Sequence, residues 1–308
     1  GDPWSWPHPV KSMGWGIEHY SQFVFRWFSS PQKQNIAGIL LGIGFPLLSA
    51  VLSASFVIAS GLLSPILGFG IAIILIASCW AARSLRDAAE DVVNPLGDGD
   101  IDTAREKLKH YVGRDTANLS EAGILRALLE SISENATDGV FAPLFYSLLG
   151  LSISPAWGVA LAFAYKCLST LDSMVGYRTA PYTYLGRFSA RLEDIATWLP
   201  CRLTVLTIAI LSGHFQKVLR VCQRDAPADP SPNSGWSECA YAVALAVQLG
   251  GFNYYQGQPR YKPLLADDLE PITIDKVTLA LRLTRHGFLL WLGLGWIGLT
   301  WRYHLHCG

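Results

Sequence analysis

Residues 34–82 read QNIAGILLGIGFPLLSAVLSASFVIASGLLSPILGFGIAIILIASCWAA and contain no Asp, Glu, Lys, Arg or His. A transmembrane helix needs about 20 consecutive apolar residues, so this stretch is long enough for two spans. Gly61, Ser64 and Pro65 supply the break between them, because such residues interrupt regular helices. The stretch therefore predicts an integral membrane protein whose first two spans cover residues 36–60 and 64–84.

The composition of the whole chain agrees with this prediction. Hydrophobic residues make up 51% of the 308 residues and charged residues only 16%, whereas soluble proteins carry about 25% charged residues. The formal net charge is zero, so we expect no bulk attraction to nucleic acid or to acidic substrates. The six cysteines show no C-x-x-C spacing, and several lie in apolar stretches, which indicates buried reduced thiols.

Further apolar segments follow, and they are less regular. Residues 139–165 are uncharged but interrupted by proline and glycine, residues 195–216 include Arg202 and His214, and a last span is expected within 239–258 or 280–301. Interrupted segments are tolerated at membrane depth only where they are buried in protein or line a cavity. We predict an all-α fold, a polytopic transmembrane helical bundle with about five spans forming one domain over residues 1–308.

The longest hydrophilic block is the loop of residues 83–138, and it carries the first candidate site residues. Within it, residues 103–112 are predicted to form a short helix after Asp102, and a second helix is predicted from near Ser120. Apolar side chains on one face of this second helix leave Arg126, Glu130 and Glu134 on the other. Spacing favours a solvated face with an i,i+4 ion pair. The alternative is a set of carboxylates that holds Mg²⁺ at the mouth of a membrane segment.

A lysine within an apolar segment provides the second candidate. Lys166 follows the apolar residues 161–165 and is flanked by Asp172. An ionisable group in a membrane helix is costly and usually faces a partner or a cavity, although a lysine that snorkels to the interface would show the same pattern. Residues 176–202 then alternate small, basic and acidic side chains. The arginines of this segment could bind phosphates, because the guanidinium group matches phosphate geometry. A loop that contains only ordinary salt bridges would have the same sequence pattern.

Taken in order, the polar motifs resemble the adenosylcobinamide-phosphate synthase family of cobalamin (vitamin B12) biosynthesis. The resemblance extends over most of residues 1 to 265 and is carried by these segments: Gly1-Asp2-Pro3 with His8-Pro9-Val10 and Met13-Gly14, Gly99-Asp100, Val112-Gly113-Arg114-Asp115-Thr116, residues 130–140 (ESISENATDGV), Ala142-Pro143-Leu144-Phe145, Lys166, residues 170–177 (TLDSMVGY), Gly186-Arg187, Ala190-Arg191-Leu192, Asp194, Ser231-Pro232-Asn233, Gly235, Glu238, Leu249-Gly250-Gly251, and Tyr255 with Gly257.

The chain departs from the family pattern in small ways. Ser169 lies where the family usually has Asn, Glu193-Asp194 where an Asp pair is common, and Ser133 where Ala is common. The family usually has a hydrophobic segment before the Gly-Asp-Pro motif, so we expect a further N-terminal segment to precede residue 1.

The resemblance implies a polytopic enzyme in which polar helical loops form the active site. Its expected reaction joins adenosylcobyric acid to (R)-1-aminopropan-2-ol phosphate through an amide bond, with ATP as co-substrate and Mg²⁺ as cofactor. The expected location is the cell inner membrane, with the active site on the cytoplasmic side where ATP is found. The lipid bilayer and the two substrates are the expected partners, nucleic acid is not, and association with neighbouring enzymes of the pathway is a further expectation.

The resemblance and the chemistry together suggest a role for each site residue. The predicted catalytic residues are Glu130, Glu134, Lys166, Asp172 and Asp194. Contacts to substrate or phosphate are predicted for Arg114, Asp115, Asn135, Arg178, Arg187, Arg191, Asn233 and Glu238. The predicted metal ligands are Glu134, Asp138 and Asp172. The competing hypothesis is a membrane protein that binds or transports corrinoids without catalysis, because broken helices with an intramembrane Lys–Asp pair are also found in transporters.

Overall fold

Helices account for most of the structure. The computed structural model describes residues 9–307, with side chains up to Arg302. The α-helices are α1 Pro9–Trp27, α2 Pro31–Leu63, α3 Pro65–Cys79, α4 Ala82–Gly97, α5 Ile101–Leu108, α6 Glu121–Asn135, α7 Ala142–Leu151, α8 Pro155–Val175, α9 Arg187–Leu211, α10 Phe215–Asp225, α11 Ser234–Leu245 and α12 Ile274–Cys307. A π-helical turn, Ala136–Phe141, joins α6 to α7, and a 3-10 turn covers Ala226–Ala228. The all-α class is confirmed.

Three helical stretches are long and apolar enough to cross a membrane: Pro31–Leu63, Pro65–Gly97 and Arg187–Leu211. They overlap the predicted spans 36–60, 64–84 and 195–216. The side chains of Leu63 and Ile66 in these stretches are 83% and 85% exposed. In water such exposure would be very unfavourable, whereas lipid chains solvate these side chains well. The chain is therefore a membrane protein.

The irregular segments can be compared with the structure one by one. Residues 139–165 are interrupted, as predicted, because the π-helical turn, α7 and α8 divide them. The span over 239–258 is wrong: this segment contains the end of α11 and an antiparallel β-hairpin of β1 (Leu249–Tyr255) and β2 (Gln258–Leu265). The absence of charge in this segment was misleading, because an uncharged strand beside buried helices has the same composition. Residues 280–301 lie inside the continuous helix α12.

The chain divides into two compact units, each of which we describe separately. The first unit comprises the chain up to Ala81, Ala142–Thr197 and the chain from Leu292 onward, and the second comprises Ala82–Phe141 and Trp198–Trp291. The sequence had been interpreted as one domain. Predicted features in residues 1–8, including the Gly1-Asp2-Pro3 motif, lie outside the described residues.

Helix α8 is the centre of the first unit. It packs against α1, α2, α3 and α7, and the chain that follows it returns close to its end. A Cβ at Gly186 would overlap the carbonyl oxygen of Val175, the last residue of α8. Glycine is required there because no side chain fits between these two backbone segments.

The core of the second unit places the hairpin beside two helices. Buried side chains from α4, α5, α6, α10 and α11 form one apolar cluster, which includes Phe141 and Tyr241. Strand β1 packs against α6 and α11. Five of the cysteines (Cys79, Cys167, Cys201, Cys222 and Cys239) are buried free thiols, as predicted, and the side chain of Cys307 lies outside the described part.

Gly186→Ala is expected to destabilise the protein by about 3 kcal/mol or more, because its Cβ meets backbone that cannot rotate away. Gly44→Ala in α2 is the matched control: nothing lies within 4 Å of its Cβ, and alanine favours a helix by up to about 1 kcal/mol. Thermal unfolding of both variants in detergent measures the difference. Equal melting temperatures for the two variants would contradict the assigned packing.

Candidate active site

Helix α6 forms where the sequence predicted it, and its cap agrees as well. The Oγ atom of Ser120 accepts a hydrogen bond from the backbone N–H of Gly123 at 3.2 Å, which satisfies one amide at the helix start. The apolar face, Ile124, Leu125, Leu128, Leu129 and Ile132, is buried as expected. In the preceding block, α5 begins at Ile101 with Asp100 as its N-cap, instead of after Asp102.

The face predicted to be solvated is instead bound to the hairpin. Glu130 is only 1% exposed, and its Oε1 atom accepts the backbone N–H of Gly250 at 2.8 Å. One turn earlier, Nη1 of Arg126 donates to the carbonyl oxygen of Gly250 at 2.7 Å. The predicted i,i+4 ion pair is therefore wrong, because both side chains bind the backbone of β1.

A buried ion pair completes the environment of Glu130. Arg114 forms a salt bridge to Oε2 of Glu130, and its Nη1 atom donates to Oδ1 of Asn253 at 2.8 Å. These contacts connect Arg114 and Glu130 to the hairpin. The phosphate contact of Arg114 and the catalytic role of Glu130 stay predictions.

Asp115 has a comparable positioning role at the other end of the hairpin. Its two carboxylate oxygens accept the backbone N–H groups of Gln256 at 3.1 Å and Gly257 at 2.8 Å. Its own N–H donates to the carbonyl oxygen of Tyr254 at 2.8 Å. Asp115 therefore closes the β-turn, and its predicted substrate contact stays a prediction.

The second ion pair of the cluster joins α11 to β2. Nζ of Lys262 lies 2.6 Å and 2.8 Å from the two carboxylate oxygens of Glu238, whose side chain is fully buried. Burial raises the pKa of Glu238 from 4.5 to about 8; Lys262 opposes this shift, and Glu134 and Glu130 add to it. Burial alone would lower the pKa of Lys262, but these carboxylates outweigh it and raise the pKa. Lys262 therefore stays charged.

Glu134 is the accessible carboxylate of this cluster. It lies one turn after Glu130 on α6, its side chain is exposed, and it makes no hydrogen bond or ion pair with any described residue. Burial nevertheless raises the pKa of Glu134, while Lys262 opposes the shift. A ligand can therefore reach this carboxylate without breaking an existing contact.

The cluster brings three carboxylates together with three cations. Glu130, Glu134 and Glu238 interact with Arg114 and Lys262, and the guanidinium of Arg126 binds backbone carbonyls and Asn253. Glu134 is the carboxylate of this cluster that forms no ion pair with a described residue. A cation, either a metal ion or an ammonium group, is the ligand that such a carboxylate attracts.

The remaining predicted residues of the second unit border this region. Asn135 is exposed, and its Nδ2 atom donates to the carbonyl oxygen of Ser131 at 2.8 Å. Asp138 lies in the π-helical turn, a distortion that is frequent at functional sites. Asn233 is buried before α11, and its Oδ1 atom accepts Nη1 of Arg202 at 3.1 Å.

The first unit holds the other predicted residues. Lys166 and Asp172 are half-buried on α8, and Lys166 lies within electrostatic range of Cys79. At the start of α9, Arg187 and Arg191 are exposed, one helical turn apart, and neither forms an ion pair with a described residue. Lys166 is thus inside the unit, and the two arginines are on its surface.

A second acidic group in the first unit had not been assigned a role. Glu193 is buried and accepts hydrogen bonds from the hydroxyls of Thr197 and Tyr165. Asp172 and Asp194 both lie within electrostatic range of it, and Arg178 attracts Asp194. The predicted residues Asp172, Asp194 and Arg178 therefore belong to one charged cluster around Glu193. The adjacent Asp194 in the same motif was the signal that could have identified Glu193.

Lys262 is the other functional residue that the sequence interpretation missed. It lies in β2, within QPRYKPLL (residues 258–265), which has no clear alternation of apolar and polar residues. In the described residues, no group of three or more His, Cys, Asp or Glu side chains is arranged to hold a metal ion. The Mg²⁺ ligands Glu134, Asp138 and Asp172 thus stay a prediction.

Comparison with known proteins agrees with the motifs. A family model described as "CobD/Cbib protein" matches residues 1–284. The chain belongs to the CobD/CbiB family. Cobalamin biosynthesis protein CobD from Synechocystis sp. is 52% identical over 295 residues, covering 96% of this chain and 86% of that relative. Membership of the family assigns the chain an enzyme role in cobalamin biosynthesis.

More distant relatives cover the same length. Cobalamin biosynthesis protein CbiB from Salmonella arizonae is 39% identical and CobD from Citrobacter koseri 37% identical, each over 293 residues, which are 92% of this chain and 88% of each relative. No solved structure matches the chain.

Lys262→Met is expected to lower the free energy of unfolding by about 3–5 kcal/mol, because it leaves Glu238 as an unpaired buried charge. Glu238 has a folded pKa raised above its ordinary value, so the folded state holds a proton that the unfolded state releases. The variant's stability should therefore fall as the pH rises above 4.5 and should keep falling beyond pH 8, because loss of Lys262 removes the charge that holds the pKa of Glu238 down to about 8. Thermal unfolding at several pH values measures this slope.

The double variant Lys262→Met/Glu238→Gln is the control for this prediction. A neutral amide removes the titrating charge. The double variant should therefore recover most of the lost stability, and its free energy of unfolding should change little with pH over this range. A single variant as stable as the wild type, or a double variant with the same pH slope as the single one, would contradict the assigned pair.

Proposed function

We propose that this protein is an ATP-dependent amide ligase that joins adenosylcobyric acid to (R)-1-aminopropan-2-ol phosphate and yields adenosylcobinamide phosphate. Family membership supports a step of cobalamin biosynthesis, and the motif resemblance supports this step in particular. The structural observation that carries the proposal is Glu134, an accessible carboxylate that has no hydrogen bond or ion pair with a described residue and lies near Lys262 and Arg114.

The proposed chemistry has two steps. A carboxylate is a poor electrophile, so a propionate oxygen of the corrinoid first attacks the terminal phosphorus of ATP, ADP leaves, and an acyl phosphate forms. The neutral amine then attacks the acyl carbon, phosphate leaves, and the amine nitrogen loses a proton. The protein must bind charge in both steps and keep water away from the acyl phosphate.

Glu134 suits the amine in the second step. The amine arrives as an ammonium ion and has to lose a proton before it can attack. An accessible carboxylate with a raised pKa binds such a cation and accepts its proton. Glu238 and Lys262 adjust the charge beside it, and we propose that they position this site without reacting.

Mg²⁺ is the other cation that this carboxylate fits. The ion takes one or two protein carboxylates together with waters and phosphates, so a site with Glu134, and Asp138 in the next turn, does not require three protein ligands. Bound there, it would neutralise charge on the phosphates of ATP.

The cations of the first unit suit phosphate groups. Arg187 and Arg191 are exposed and free of ion pairs with the described residues, so they can bind phosphate without first breaking a salt bridge. We assign Lys166 and Arg178 the same role, and Asp172 and Asp194 the role of orienting these cations. Because ATP is cytoplasmic, we place the site on the cytoplasmic side of the inner membrane.

The broken helices favour one competing function, a corrinoid transporter. The π-helical turn, α7 and α8 divide an apolar segment that also carries Lys166, which is the pattern that transporters use near their substrate. An assay with purified protein, both substrates and Mg-ATP, followed by mass spectrometry, separates the two functions. Formation of the amide together with ADP supports the ligase. Folded protein that yields neither product overturns it.

Glu134→Gln is expected to lower the turnover number by about 100-fold or more, since general acid–base catalysis contributes about that much. The matched control is Glu121→Gln, the same change in the first turn of the same helix at an exposed residue. Turnover measured as a function of the Mg²⁺ concentration and of the amine concentration then distinguishes a metal ligand from a group that binds the ammonium ion. A higher Mg²⁺ requirement indicates the metal, and a higher KM for the amine indicates ammonium. A Glu134→Gln variant as active as the control removes Glu134 from the site.

A further inference from the structure

A groove of about 600 Å³ lies between α4 and α12 in the second unit, away from the glutamate cluster. Its floor is apolar and includes Leu281, Phe288 and Leu289. Four exposed arginines line it: Arg83, Arg86, Arg282 and Arg285. Among the described residues, neither the motifs nor the proposed reaction assigns this surface a role.

The two helices of the groove run antiparallel. A Cβ at Gly97, the last residue of α4, would lie 3.9 Å from Cδ1 of Ile274, the first residue of α12. Both helices rise by about 1.5 Å per residue, so counting along each by the same number of residues brings Ala82 level with Leu289. Both residues line the groove, as this geometry requires.

The charged groups of the groove are poorly neutralised. Arg282 and Arg285 form no hydrogen bond or ion pair with the described residues. Arg83 and Arg86 have only loose surface partners, Asp87 at 3.5 Å and Glu90 at 3.4 Å, and exposed pairs of this kind contribute little. The groove therefore attracts an anion, and Glu90 is the acidic residue in its lining.

Arg83 in α4 and Arg285 in α12 each stand next to an uncharged stretch of the chain. The chain before Arg83 carries no charge back to residue 34, and α12 has no Asp, Glu, Lys or Arg from His286 to Trp301. Helix α4 forms part of the candidate span Pro65–Gly97, and arginine at the end of an apolar span lies in the headgroup layer. The apolar end of the groove, with Leu289 exposed, faces the acyl chains.

We propose that the α4–α12 groove binds one anionic phospholipid of the surrounding bilayer. The four arginines hold its phosphate, and its acyl chains lie along Leu281, Phe288 and Leu289. A soluble nucleotide fits less well, because it would leave the apolar side chains of Leu281, Phe288 and Leu289 without an apolar partner. The proposal is independent of the ligase reaction, since it concerns lipid binding and not turnover.

Native mass spectrometry of the full-length, delipidated protein tests the proposal with phosphatidylglycerol and phosphatidylcholine of the same chain lengths. The wild type should retain one phosphatidylglycerol and bind phosphatidylcholine much more weakly. Each arginine near the membrane surface strengthens anion binding roughly 5-fold, so Arg282→Gln should lose roughly 5-fold in affinity and R282Q/R285Q roughly 30-fold. R282K/R285K should retain most of the affinity, because the attraction depends on charge.

Lys217→Gln/Arg220→Gln is the matched control, since it removes the same charge at the same i,i+3 spacing from exposed residues of α10. It should bind phosphatidylglycerol like the wild type, and an unchanged melting temperature shows that each variant is folded. Equal retention of both lipids, unchanged affinity in R282Q/R285Q, or equal loss in the control overturns the proposal. Displacement of the lipid by Mg-ATP assigns the groove to a nucleotide and overturns it as well.

Discussion

The backbone of Gly250 is held on both sides by α6, and the arrangement of the glutamate cluster depends on this contact. Glu130 accepts its N–H and Arg126 donates to its carbonyl oxygen. Gly250 has φ = 90°, and a Cβ would overlap the carbonyl oxygen of Pro263. Only glycine therefore lets β1 approach β2 this closely at residue 250. At the next residue, a Cβ on Gly251 would lie 3.0 Å from Nη1 of Arg126 on α6. The contact sets the position of the hairpin, and β2 in turn brings Lys262 to Glu238.

Burying these charges is costly unless each has a partner, and the pairing explains which carboxylate is left for a ligand. Glu130 is paired with Arg114, and Glu238 with Lys262. A buried ion pair contributes little net stability compared with an apolar pair, but loss of one partner is severe. Such pairs therefore hold a geometry in place. Glu134 interacts electrostatically with Lys262, Arg114 and Glu130 but forms no hydrogen bond or ion pair with a described residue. This is the state expected of a residue that binds a cation from solution.

The membrane-spanning part and the polar part of the chain were predictable to different degrees. Residues 34–82 are apolar throughout, and α2 and α3 lie where this pattern placed them. Helix α6 and its cap Ser120 were also predictable, because a cap and an apolar face are local signals. The hairpin was missed, since Leu249–Tyr255 is uncharged and its glycines have positive φ for a tertiary reason, the close approach to β2 and α6.

By itself, the sequence determined the membrane character, the helical class, the family and the set of ionisable residues from which a site can be built. These properties follow from composition, from local periodicity and from the order of short motifs. Only the tertiary structure decided which of these residues are engaged and which are free. Arg126, Glu130 and Glu134 share one helix face at a four-residue spacing, yet the first two bind β1 and the third is open. The physical reason is that their partners in β1 lie more than 100 residues away along the chain, and local periodicity carries no information about contacts at such separations.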